Sequence, residues 1–80
     1  MNTYQTTHRA ACPNGGLMDA YQITIRSHST IMVEDILRTL NEAPGKIYQE
    51  DLATLLRAKL GAEVTVEGWH HGVFITSTRQ

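Results

Sequence analysis

Apolar and polar residues first fall into step at Leu17, after which Tyr21, Ile23 and Ile25 alternate with Gln22, Thr24 and Arg26. A period of two sends successive side chains to opposite faces of a strand, so a strand is expected over residues 17–27. The polar run Ser27, His28, Ser29, Thr30 then either turns a hairpin into a short strand over 30–33 or caps a helix directly, and the short strand is the preferred reading. Val33, Ile36, Leu37 and Leu40 follow at i, i+3, i+4 and i+7, the stripe of an amphipathic helix that ends near Ala43, Pro44 and Gly45. A second stripe of Leu52, Leu55, Leu56 and Leu60 predicts a helix over 49–60, with Glu50 and Asp51 at its start and Gly61 at its exit. Alternation returns in Val64 and Val66, is interrupted by Gly68, Trp69, His70, His71 and Gly72, and resumes over 73–78 as the second arm of a hairpin.

The first sixteen residues show no such period and close on Pro13, Asn14, Gly15 and Gly16, a turn-forming cluster, so 1–16 is read as a polar lead-in and 17–80 as one domain. The element order β-β-α-α-β-β gives an α+β fold, an antiparallel sheet with two helices packed on one face. Such a sheet has open edges and a thin core, so a homo-oligomer is expected.

Eighty residues leave room for one domain. Seven Lys and Arg against eight Asp and Glu give a net charge of −1, which supplies no bulk field for a phosphate backbone and makes nucleic acid a poor partner. No apolar run approaches membrane-spanning length, so no membrane partner is expected. The lone Cys12 cannot form an internal disulfide, and the opening residues lack the order of a signal peptide. Both point to a cytoplasmic protein.

Cys12 stands directly before the Pro13–Gly16 turn, and Asp19 is the next carboxylate. A thiol and a carboxyl converging at the start of a strand would form a nucleophile with a proton donor beside it, whereas an isolated cysteine in a small domain is usually a buried small apolar group. Glu34 and Asp35 suit the dipole at a helix start; alternatively Glu34 accepts two parallel N–H bonds from a planar heterocycle. Trp69 covers a core edge or stacks on a flat ligand. His70 and His71 point oppositely if extended, and no spacing matches a zinc signature, so no metal is assigned.

Cys12, Pro13, Gly16 and Asp19 together resemble the segment that opens the catalytic domain of cyano-deazaguanine nitrile reductases. The run from Ile31 to Leu37 is similar to the Glu-Asp segment of those enzymes and of GTP cyclohydrolases, both members of the tunnelling fold. The resemblance implies an oligomer that binds a purine- or pterin-like ring between subunits, with Cys12 as nucleophile or metal ligand, Asp19 as proton donor and Glu34 as anchor. The run from Val66 to His71 resembles a Glu-x-x-His stretch in the last hairpin of the cyclohydrolases, implying a catalytic or binding role for His71. The activity implied is reductase-like or cyclohydrolase-like. Residues 21–30 lack the lysine-bearing nicotinamide segment of the reductases, so the cofactor is unknown. The rival reading is a non-catalytic module that binds a protein or nucleic-acid partner through a sheet edge or the Trp-His-His hairpin.

Overall fold

The computed structural model describes residues 1–15 and 18–80. Gly16 and Leu17, the end of the expected lead-in and the start of the expected strand, lie outside the described residues. The elements run β1 (Asn2–Ala11), β2 (Met18–Ser27), α1 (Val33–Glu42), α2 (Gln49–Leu60), β3 (Glu63–His70) and β4 (Val73–Arg79). They form one antiparallel sheet in the order β1-β2-β3-β4, with both helices inserted between β2 and β3.

The expected element order is therefore present, but its first strand is supplied by different residues. Residues 2–11, read as a lead-in, pair with β2 from Asn2↔Ser27 to Ala11↔Met18. Their alternation is real but mostly polar: Tyr4, Thr6, His8 and Ala10 face inward while Thr3, Gln5, Thr7 and Arg9 are exposed. Threonine suits a strand without supplying an apolar signal, and an edge strand has only one face to bury. The expected strand over 30–33 does not form. Ile31 packs against the core and donates its N–H to Tyr4 Oη at 2.9 Å, while Met32 precedes α1 in extended backbone.

The core lies between the sheet and the helices. Tyr21, Ile23 and Ile25 of β2 and Val64 and Val66 of β3 meet Ile36, Leu40, Leu52, Ala53 and Leu56 from α1 and α2. Helix α1 buries only Ile36 and Leu40 of its stripe, leaving Val33 and Leu37 half exposed. Helix α2 occupies its expected span and ends on Gly61 with φ 65°, a left-handed cap, whose N–H bonds Arg57 O. Strand β3 continues through Trp69 and His70. The turn is only His71 (φ 51°) and Gly72 (φ 84°), two positive φ values that match the right-handed twist of the hairpin.

Candidate functional site

The end of β1 is tied to the segment between the helices. Ala11 N–H donates to Gly45 O at 2.8 Å and Ile47 N–H donates to Ala11 O at 3.1 Å. Two such bonds fix the backbone immediately before Cys12 against the approach to α2. Beyond Cys12, Gly15 N–H returns to Cys12 O at 3.3 Å, and the Tyr48 hydroxyl donates to Asn14 Oδ1 at 2.8 Å. The cysteine thus sits at the base of a turn braced on both sides.

That turn, the start of β2, the first turn of α2 and the β3–β4 hairpin enclose a cleft of about 680 Å³, lined by Cys12, Asp19, Tyr48, Gln49, Glu50 and His70 among others. The Cys12 thiol, an Asp19 carboxylate oxygen and a His70 ring nitrogen all lie within 4.8 Å of one another. Strand alternation explains the grouping, because Asp19 and Tyr21 share the inner face of β2 while Gly68 and His70 share that of β3. Gly68 leaves room for the Tyr21 ring, whose Cδ1 would stand 2.7 Å from a Cβ at that position.

The polar groups are linked. Tyr21 donates its hydroxyl to Asp19 Oδ2 at 3.3 Å. Burial, followed by the Asp19 carboxylate, pushes the Tyr21 phenol up to about 12, so it stays an O–H donor at neutral pH. His70 Nδ1 is 3.6 Å from Asp19 Oδ2, and Nε2 is 3.2 Å from Gln49 Oε1. Gln49 is 1% exposed, an unusual depth for a glutamine, and its amide nitrogen donates to Val66 O at 2.7 Å and Ile75 O at 2.8 Å. Thiol, carboxylate and imidazole are also donor types that bind divalent cations. Here Asp19 Oδ2 and His70 Nε2 are already engaged by Tyr21 and Gln49, an arrangement suited to moving a proton.

The expected site residues are distributed as follows. Cys12 and Asp19 stand together in the cleft, and His71 lines it from its exposed turn. Glu34 is exposed in the first turn of α1, outside the lining of this cleft. Trp69 is also outside the lining, 64% exposed on the face opposite the helices, with its ring 5.1 Å from that of Phe74. His70, Gln49 and Glu50 carried no sequence assignment to the site. Gln49 and Glu50 read only as the first turn of an amphipathic helix, and only the direction of α2 turns them into the cleft.

No family model and no curated protein matches this chain. Among solved structures it is similar to the archaeosine synthase QueF-Like in its apo form, at 19% identity and a TM-score of 0.80, covering 98% of this chain and 89% of that one. The chain therefore has the fold of that enzyme, the α+β fold implied by the resemblance at Cys12, Pro13 and Asp19.

Proposed function

We propose that the chain is a tunnelling-fold protein that binds a purine- or pterin-like heterocycle and that Cys12 adds to an electrophilic carbon of it, a nitrile being the group that fits. The observation carrying this reading is the meeting of Cys12, Asp19 and His70 in one cleft beside Glu50. In the addition, the sulfur forms a bond to the nitrile carbon, one C–N π bond breaks, and its electron pair takes a proton delivered by Asp19, giving a covalent thioimidate. The thiol supplies the proton that the nitrogen gains, so the step balances without an outside acid. Tyr21 supports Asp19 by donating to Oδ2, which leaves the other carboxyl oxygen free to face the ligand.

Glu50 is assigned the ring-anchoring role rather than Glu34, because its exposed carboxylate lines the cleft and can accept two parallel N–H bonds from a guanine-like edge. The cleft is open to solvent, and a second copy of the chain is proposed to complete it, as the open sheet edges and the exposed Trp69–Phe74 pair favour. That aromatic pair is also what would support the rival reading of an interaction module.

Incubation with a cyano-deazaguanine base followed by intact-mass measurement tests the proposal. The expected result is a mass increase equal to the whole ligand, lost in Cys12→Ser and weakened in Glu50→Gln. Absence of an adduct, together with no protection of Cys12 from alkylation, would overturn it.

A further inference from the structure

The orientation of one buried amide fixes the chemistry of the histidine above it. Both N–H groups of Gln49 are taken by backbone carbonyls, those of Val66 and Ile75. Rotating the amide by half a turn would set its oxygen against two carbonyl oxygens, so Oε1 must be the atom that faces His70 Nε2. An amide oxygen only accepts, and Nε2 must therefore carry a hydrogen. The Tyr21 hydroxyl, 3.5 Å from the same nitrogen, finds no lone pair there and gives its hydrogen to Asp19 Oδ2 instead. His70 is left with Nδ1 as its exchangeable position, directed at Asp19 Oδ2 across 3.6 Å.

We infer that His70, held by Gln49 with a fixed proton on Nε2, is the base that receives the Cys12 proton at Nδ1 and shares it with Asp19. This deepens the proposed addition step, on which it rests. Sulfur gives up its proton to the Asp19–His70 pair and attacks carbon as the thiolate; the pair then returns that proton to the ligand nitrogen through Asp19. No proton is gained or lost overall. Gln49 touches neither the ligand nor the sulfur in this scheme and is a positioning residue: without it, neutral His70 could place its hydrogen on Nδ1 and leave the Asp19 carboxylate as the pair's only acceptor.

The groups that face His70 from each neighbouring element are few. Asp19 and Tyr21 stand on β2, Cys12 in the turn after β1, Gln49 and Glu50 on α2, and His71 in the β3–β4 turn; the residue opposite on β4 is Val73. None of these is a lysine or arginine, and the imidazole and the Asp19 carboxylate are the two bases grouped with the thiol within 4.8 Å.

Two measurements without any heterocyclic ligand test the inference, both with a chelator present. Nitrogen-15 NMR of the whole protein is expected to show neutral His70 protonated on Nε2; neutral His70 protonated on Nδ1 would overturn the inference whatever the variants do. Iodoacetamide alkylation of Cys12 at pH 7 is expected to slow by about 10²-fold in His70→Gln, the low end for general-base assistance. Gln49→Met, which keeps the volume, should slow that alkylation and mix the tautomers. A His70→Gln protein with the parent rate would sink the relay. A positive alkylation profile with no nitrile adduct would instead leave the relay standing and remove the proposed substrate.

Discussion

The absent side chain of Gly68 is what lets the Tyr21 ring pack against β3: a Cβ there would fall 2.7 Å from Tyr21 Cδ1 and 3.1 Å from Cε1. Tyr21 is fully buried and its hydroxyl reaches Asp19, so the ring cannot move aside without disturbing the cleft. Gly68→Ala is expected to cost about 1–3 kcal/mol, the usual range for overpacking a well-filled interior. Urea unfolding should show a lower midpoint with an unchanged slope; an unaltered midpoint would mean that the ring yields freely.

Leu52 and Leu56 are fully buried where α2 meets the sheet, in a chain short enough that this layer dominates its stability. Leu56→Ala should lose about 2–5 kcal/mol by removing apolar contact and leaving a cavity. Leu37→Ala, on the exposed side of α1, should stay within about 1 kcal/mol of the parent, since that side chain is half exposed. Equal losses at the two positions would place the core elsewhere.

Stability should fall at both ends of the pH range for separate reasons. Burial lowers the His8 imidazole, so the folded state favours neutral His8 while the unfolded chain takes up a proton near 6.5; stability declines as pH falls below 6.5. Tyr21 is raised to about 12 against 10 in the unfolded chain, so its contribution is whole below pH 10 and is lost as pH rises from 10 through 12. Tyr21→Phe should flatten the alkaline loss and His8→Gln the acid one, each read from denaturation midpoints against pH.

Tyr48 closes the turn beside the nucleophile through its bond to Asn14. Tyr48→Phe removes that bond at an exposed position, so global stability should change by no more than about 1 kcal/mol. Because the brace lies two residues from Cys12, alkylation of the thiol should accelerate several-fold. An unchanged alkylation rate would show that the pairing of Ala11 with Gly45 and Ile47 suffices.

Trp69 and Phe74 place two aromatic rings side by side on a face that no helix covers. If a second copy covers them, Trp69→Thr should reduce the mass measured by sedimentation while leaving the circular-dichroism spectrum intact. A parent protein sedimenting at 8.9 kDa would remove the assembly from the proposal.

Local patterning determined much of this protein. The apolar alternation of Tyr21, Ile23 and Ile25, the leucine stripe of α2 and the valines of β3 can satisfy their periods in only one type of element, so the α+β class and the span of α2 were legible from residue order. The pairing of a thiol with the next carboxylate across a turn was legible from the order of residues, since only six residues, four of them the Pro13–Gly16 turn cluster, lie between Cys12 and Asp19.

Contacts between distant segments decided the rest. Strand β1 has too few apolar residues to announce itself and exists because β2 offers it a full ladder of partners. Gln49 is simply the first residue of the expected helix in the sequence but becomes a buried donor because β3 and β4 bring the carbonyls of Val66 and Ile75 to it. His70, fifty-one residues from Asp19, joins the cleft only through the register that sets β3 beside β2, where Gly68 makes room for Tyr21. Sequence periodicity fixes which way a side chain faces on its own element; which elements face each other is set by backbone pairing and core packing across the whole chain, and that is where the cleft was made.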